Sequence, residues 1–247
     1  NQGNAEEVLE ITSYFEPVLS RKEQDYAHPT FNNLFLIFDY DEESNSLIVK
    51  RKKRELHDKE IYLAVNLSTN SETIGDLEYE IDEEKFIGRG NFEKPQMVVN
   101  SNPLSKKIGL VTEPIVALKR TIKIKPDEKT TINLIVSVSE EKEEVLNNIK
   151  KYKMEENIEK AFELSKAQIE AHSRYLRIKG KEIKEYEKIL SYIVFNNPAK
   201  KLILDKLPKR TYMQSDLWKY GISGDLPIIL VKIKDINDSY IISEVLK

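Results

Sequence analysis

The chain has 247 residues and a formal net charge of −3, so it is long enough for one large domain or two modest ones with a buried core. It contains no cysteine, which excludes disulfides, zinc–thiolate sites and cysteine nucleophiles. A slightly acidic balance with only three scattered histidines argues against general nucleic-acid binding and against a histidine-based metal site.

No apolar run approaches the eighteen or so residues that a transmembrane helix needs. The sequence opens at Asn1 without a signal peptide or an initiator methionine. We therefore expect a soluble chain. Because the first strand-like run has no partner before it and the last stretch lacks a terminator signal, we also expect both ends to be cut from something longer.

Short β-like runs fill the first 138 residues. Alternating apolar and polar residues, rich in β-branched and aromatic side chains, predict seven strands. They lie at 8–19, 34–40, 46–50, 60–67, 77–81, 115–124 and 130–138. Turn-forming segments separate them, as at 41–45, 88–91 and 125–128. Many short strands at this spacing favour an antiparallel β-sandwich over residues 1–138.

A helical pattern follows residue 138. Ser139 with Glu140 and Glu141 predicts a helix start, because a hydroxyl cap and acidic residues in the first turn both favour one. Apolar residues then recur at helical spacing. Further helices are predicted at 155–176, 181–196 and 202–207, and 240–247 is read as a helix start or a strand. Residues 139–247 therefore form the helical region.

The segment 217–228 contains the only tryptophan, Trp218, beside a glycine-containing turn. An indole face stacks on a pyranose ring, and Ser223 and Asp225 suit its hydroxyls. The segment leads into an apolar run, 227–233, typical of a strand. The competing interpretation is a tight turn anchored by a buried tryptophan.

Two stretches of the sandwich region supply further candidate contacts. Arg89, between two glycines, would reach a ligand from a turn, or would pair with a carboxylate in a hairpin loop. His28 lies among a carboxylate and two aromatics that would line a sugar cleft, or, preceding Pro29, it caps a strand entry. The sequence has no glycine-rich nucleotide loop, and we expect neither a cofactor nor a metal.

Two further sets of charged residues are candidates for function. The run 50–54, Lys-Arg-Lys-Lys-Arg, would contact phosphate or an acidic partner, or would be a solvated strand end. Glycoside chemistry needs a carboxylic acid with a raised pKa. Glu16, Glu113 and Asp225 lie in apolar or turn contexts where burial would raise the pKa.

Six stretches in the same order resemble the cyclic β-1,2-glucan synthases. They are ITSYFEPVL at 11–19, AHPTFNNLF at 27–35, RKKR at 51–54, YEIDEEKFIGRGN at 79–91, EPIVALKR at 113–120 and SDLWKYGISGDLPI at 215–228. The sequence departs from the family at Glu113, where the family has Asp, and at 54–60, where the family has a stretch containing Pro and Trp. The resemblance covers about 9–234.

The resemblance implies a segment from inside a very large membrane-associated synthase that builds β-1,2-glucan from UDP-glucose. Such synthases carry modules related to family-94 glycoside hydrolases, inverting phosphorylases in which a large β-sandwich is followed by linker helices and an α/α barrel. The implied fold is α+β: an antiparallel partial supersandwich, then linker helices and the start of an α/α-barrel-like region. The phosphorylase general acid lies in the barrel, so no catalytic residue is assigned here.

The resulting expectation is a glucan-binding or scaffolding piece without turnover of its own. Its sugar contacts would be Trp218, Ser223 and Asp225, with Arg89 and His28 on the sandwich. Its partners would be a β-glucan oligosaccharide or polymer, the rest of the parent synthase and, through open sheet edges, another copy, but no nucleic acid.

The expected location is cytoplasmic, or membrane-associated through the parent. Two alternatives to a binding piece stay open. One is an active inverting phosphorylase acting on β-linked glucans, with Asp225 or Glu16 as the acid. The other is a purely structural spacer.

Overall fold

The computed structural model describes residues 1–194, 212–226 and 228–245. The chain divides into two compact units, Asn1–Ala161 and Phe162–Lys247. The helix predicted at 202–207 lies outside the described residues. Within the described ranges, no helix is long and apolar enough to cross a membrane.

The first unit contains two antiparallel sheets. The strands are β1 (Glu7–Phe15), β2 (Leu36–Asp41), β3 (Ser46–Arg51), β4 (Ile61–Thr69), β5 (Glu72–Asp82), β6 (Pro114–Ile124) and β7 (Ile132–Ser139). Three of them form one sheet in the order β1-β6-β5, and four form the other in the order β2-β3-β4-β7. The predicted antiparallel β-sandwich is confirmed.

Two strands differ in length from the prediction. β1 ends at Phe15, where its pairing with β6 ends, and Pro17 beyond it has no backbone N–H to extend a ladder. β5 begins at Glu72, before the predicted start at residue 77. Its pairing with β6 shifts between Ile74 and Glu78, and Gly75, with φ of +72°, interrupts the alternation that the sequence pattern relies on.

Alternation along the strands turns one face of each sheet toward the other. The main core contains buried side chains from β2, β3 and β4 of one sheet and from β5 and β6 of the other. Its members are Leu36, Phe38, Leu47, Val49, Leu63, Val65, Leu67, Leu77, Tyr79, Ile81, Val116 and Leu118. Burial of these apolar side chains is the main stabilising contribution in the unit.

Helices cover the outer faces of both sheets. α5 (Lys142–Tyr152) packs Val145 and Ile149 against Ile48, Ala64 and Ile135 of the four-stranded sheet. Because this helix docks on the sandwich, the compact unit extends past residue 138. α3 (Glu83–Ile87) and α4 (Gln96–Val99) lie over the three-stranded sheet, whose outer cluster contains Phe86, Leu104, Ile115 and Ala117.

The remaining elements are helical. α1 (Lys22–Ala27) and α2 (Pro29–Asn33) follow β1, and α6 (Glu155–Tyr175) and α7 (Gly180–Val194) follow α5. The second unit also contains 3₁₀ helices at Gln214–Tyr220 and Ile236–Ser239 and α8 (Tyr240–Val245). The strand expected at 227–233 is wrong: residues 228–233 form no strand, because that unit offers them no strand to pair with among its described residues. The α+β class is confirmed.

Candidate functional site

Trp218 lies on an exposed turn of the second unit. It belongs to the 3₁₀ helix Gln214–Tyr220, and 66% of the residue is exposed. Gly221, with φ of +74°, ends the helix and reverses the chain, as left-handed glycines do at helix ends. The Trp218 Nε1 then donates to the carbonyl oxygen of Ser223 at 3.4 Å. The interpretation of a buried tryptophan anchor is therefore wrong.

Gln214 connects the predicted contacts of this turn. Its Nε2 donates to the Ser223 carbonyl at 2.9 Å and to Asp225 Oδ1 at 3.0 Å. The Asp225 N–H donates to Ser223 Oγ at 3.4 Å. Trp218, Ser223 and Asp225 are thus brought together, and the side chains of Ser223 and Asp225 are exposed. We call Gln214, Trp218, Ser223 and Asp225 the tryptophan turn.

Gly224 lets the tryptophan turn close. Its φ is +77°, and a Cβ at this position would come within 3.0 Å of Gln214 Cγ. A larger residue would be strained by both its backbone angle and the contact. Sequence reasoning missed Gln214, although it immediately precedes the 215–228 stretch that resembles the synthases.

His28 lies between two short helices in the first unit. It follows α1, and Pro29 begins α2, a position where proline's missing N–H costs nothing. The interpretation of His28 as a strand-entry cap is therefore wrong. Its exposed side chain lines a cavity of about 530 Å³ with Phe31 and Arg54, whose guanidinium carbon lies 5.1 Å from the Phe31 ring centroid.

Arg89 lies on the loop after α3. A helix precedes this segment, and a tight turn closed by an antiparallel bridge between Asn91 and Lys94 follows it. The Arg89 N–H donates to Gln96 Oε1 at 3.1 Å, and the side chain is exposed without a carboxylate partner among the described residues. A Cβ at Gly90 would come within 2.3 Å of the Lys94 carbonyl oxygen, so this loop requires glycine.

The candidate acids are not buried. Glu16, Glu113 and Asp225 are all exposed, so the burial that was expected of them is wrong. Instead burial raises the pKa of the Glu83 carboxyl, and the charges of Glu16 and Glu113 add to the shift. In the described part of the chain, no group of three or more His, Cys, Asp or Glu side chains is arranged to hold a metal ion.

Comparison with known proteins agrees with the sandwich. The family model of the glycosyl hydrolase 94 supersandwich domain matches residues 1–155. The chain is also 27% identical, over 248 aligned residues and its whole length, to the cyclic beta-(1,2)-glucan synthase NdvB of Rhizobium meliloti (strain 1021). It spans 9% of the length of that relative. The predicted relation to the cyclic β-1,2-glucan synthases is confirmed, and the chain belongs to the glycosyl hydrolase 94 supersandwich family.

Proposed function

We propose that this chain is a glucan-binding part of a synthase of the NdvB type, and that the tryptophan turn contacts the sugar. The observation that carries this proposal is the exposed indole of Trp218 beside Ser223 and Asp225. An exposed aromatic face offers a pyranose ring an apolar platform. The relative's name supplies the class of ligand, a β-1,2-linked glucan.

The polar groups beside the indole keep capacity for sugar hydroxyls. Asp225 Oδ1 accepts one hydrogen bond from Gln214, and a carboxylate has about four acceptor positions in all. Ser223 Oγ accepts from the Asp225 N–H and retains its own proton to donate. Gln214 holds both groups in place, which reduces the entropy lost when a sugar binds.

The proposed role is binding and scaffolding without turnover. The sandwich would connect the tryptophan turn to the rest of the parent synthase, with His28 and Arg89 as additional contacts. The location would be cytoplasmic, or membrane-associated through that parent. A phosphorylase needs a general acid with a raised pKa, and burial is the usual way to raise it. Asp225 and Glu16 are exposed, which supports the binding role.

Trp218 fluorescence tests the sugar contact directly, because this is the only tryptophan of the chain. We expect a saturable change in emission when β-1,2-linked glucooligosaccharides are added. Trp218→Ala, followed by calorimetry, should weaken binding by about tenfold, since a stacked aromatic contributes on the order of 1 kcal/mol beyond its burial. The matched control is Tyr220→Ala, which removes a 70% exposed ring from the same 3₁₀ helix and should leave the affinity unchanged.

Three outcomes distinguish the alternatives. A flat response above millimolar oligosaccharide contradicts binding and supports a structural spacer. Equal losses in Trp218→Ala and Tyr220→Ala place the sugar elsewhere. Release of glucose 1-phosphate from β-1,2-glucan and phosphate by the chain contradicts a role without turnover and supports an inverting phosphorylase.

We also propose that two copies pair along β7. This strand is an edge of the four-stranded sheet, and its pairing with β4 is continuous from Ile132 to Ser139. Edge strands often resist pairing through proline or charged residues, and β7 contains neither. Leu134, Val136 and Val138 on this strand are 44%, 48% and 56% exposed.

These exposed side chains continue the buried core of the sandwich. Each lies directly opposite an inward-facing residue of β4, and those three, Leu63, Val65 and Leu67, are buried between the sheets. The facing sheet has one strand fewer, which leaves the β7 row uncovered. Because the exposed row on β7 continues the buried core, we expect another apolar sheet face to cover it.

A second copy fits this edge by register and charge. If two β7 strands pair antiparallel about Ile135, Leu134 of each lies opposite Val136 of the other. The same register brings Lys129 of one copy near Glu141 of the other, and both are exposed. The pairing joins two four-stranded sheets into one sheet of about eight strands.

A lysine on the exposed row should abolish the pairing. We expect light scattering of the concentrated protein to give twice the mass of one chain, and Val136→Lys to give a single-chain mass, because the dimer would bury two unpaired charges. The control, Val99→Lys, makes the same change at a 65% exposed position on α4 and should remain dimeric. A strictly monomeric wild type at high concentration contradicts the proposal.

A further inference from the structure

The last residue of β3, Arg51, is a nearly buried cation without a bonded partner. It is 8% exposed and continues the inward-facing row of Leu47 and Val49. Its guanidinium carbon lies 5.6 Å from the ring centroid of Phe35. No hydrogen-bond acceptor and no carboxylate within ion-pair distance binds it among the described residues.

This arrangement is costly unless something else pairs with the guanidinium. Arginine stays charged and has five N–H donors, and a buried charge without acceptors loses its hydration. Burial lowers the pKa of Arg51, and the nearby Asp58 charge opposes that shift without a direct bond. A ligand with several acceptor oxygens would satisfy these donors.

Arg51 opens onto a cavity of about 800 Å³ that has a second unpaired donor. The Oγ of Ser20, also in the lining, is buried without a hydrogen-bond partner among the described residues. The cavity is bounded on one side by Val18 and Leu19 after β1 and on another by the loop between β3 and β4. Its other basic residues are Arg21, Arg54, His57 and Lys59.

The three acids in the lining leave Arg51 free. Asp58 Oδ2 accepts from the backbone N–H groups of Arg54 and Glu55, at 3.1 and 3.2 Å, so it is hydrogen-bonded within the loop between β3 and β4. Glu140 is paired with Lys59, at 2.6 Å. Glu55, the third, is exposed on the loop. The unpaired donors therefore face a cavity in which most of the negative charge is already engaged.

We infer that this cavity binds a tetrahedral oxyanion, either inorganic phosphate or the phosphate group of a sugar phosphate, with Arg51 and Ser20 as the buried donors. The planar guanidinium matches two phosphate oxygens at once, and the serine hydroxyl donates to a third. This site lies in the sandwich and is independent of the proposed glucan contact at Trp218. Success or failure at one site leaves the other untouched.

Calorimetric titration at low salt tests this site with inorganic phosphate in one arm and glucose 1-phosphate in the other. We expect saturable binding, and tighter binding of one arm identifies the source of the phosphate group. Arg51→Gln should weaken binding by at least about tenfold, because hydrogen bonds to charged groups are the strong ones. The control, Lys52→Gln, removes a neighbouring exposed charge that does not line the cavity and should change the affinity less than about twofold, as a screened surface charge does.

Two further variants keep the test decisive if Arg51→Gln folds poorly. Ser20→Ala and Arg54→Gln each remove one lining group and should each weaken binding severalfold. Absence of saturable binding in both arms, beyond the effect of sodium chloride at matched ionic strength, overturns the inference. Equal losses in Arg51→Gln and Lys52→Gln also overturn it, because they indicate diffuse attraction rather than a built site.

Discussion

Lys119→Ala should lower the free energy of unfolding by about 3–5 kcal/mol, the range for removing one partner of a buried ion pair. Lys119 lies on β6, the central strand of the three-stranded sheet, and is 3% exposed. Its Nζ is 3.1 Å from Glu78 Oε2 and 3.6 Å from Glu10 Oε1. Without the ammonium group, the Glu78 carboxylate, whose side chain is only 25% exposed, loses its ion-pair partner.

The same lysine also holds a loop against the sheet. Its Nζ donates to the carbonyl oxygen of Asn102 at 2.9 Å, and Glu78 accepts from the Leu104 N–H at 2.8 Å. Leu104 is 5% exposed in the outer cluster with Phe86 and Ile115. Loss of Lys119 therefore removes the hydrogen bond to the Asn102 carbonyl and leaves Glu78, which holds the Leu104 N–H, without its cation. We expect the packing of Leu104 in the outer cluster to be lost along with the ion pair.

A second lysine on β6 provides a matched control. Lys123 lies four residues further along β6 and therefore on the same face, and its Nζ is 2.8 Å from Glu6 Oε1. The two side chains are 32% and 41% exposed, so Lys123→Ala should cost much less than Lys119→Ala, because surface ion pairs contribute little. Urea unfolding of both variants measures the difference, and equal costs would contradict the importance of burial.

The architecture of the first unit follows from sequence periodicity wherever a pattern is long enough to read. β7 was predicted because Thr131 and Asn133 alternate with Ile132 and Leu134, and α5 because Val145 and Ile149 recur at helical spacing. α1, α2 and α3 were missed because five or six residues give no readable period. α3 did carry one local signal: Asp82 accepts from the Lys85 N–H at 3.3 Å, a standard helix cap.

One candidate site could be predicted from residues that are close in sequence, whereas the other depends on packing between distant parts of the chain. Trp218, Ser223 and Asp225 are close in sequence, so their proximity could be predicted from the turn alone. Arg51 was predicted only as one member of the basic run 50–54, which was left open between a contact to phosphate or an acidic partner and a solvated strand end, because burial depends on packing between sheets. Strict alternation from Leu47 already places Arg51 on the inward face, and that signal could have singled it out.

Phe86→Ala should cost about 3–5 kcal/mol of stability, the range for truncating a buried phenylalanine. Phe86 is fully buried and packs in the outer cluster over the three-stranded sheet, with its ring centroid 5.0 Å from that of Tyr14. α3 has five residues, too few to be stable alone, so its position depends on this contact. The loop that presents Arg89 follows α3 directly and should become mobile with it.

Phe92→Ala is the control for this prediction. The Phe92 ring also contacts Tyr14, at 5.2 Å between centroids, but the residue is 42% exposed, so its loss should cost about 1 kcal/mol. The hydrogen bond from the Tyr14 hydroxyl to the Phe92 carbonyl, 2.7 Å long, survives this substitution because it uses the backbone. Hydrogen exchange over 83–91 should accelerate strongly in Phe86→Ala and little in Phe92→Ala; equal protection in both would mean that something other than Phe86 holds α3 on the sheet.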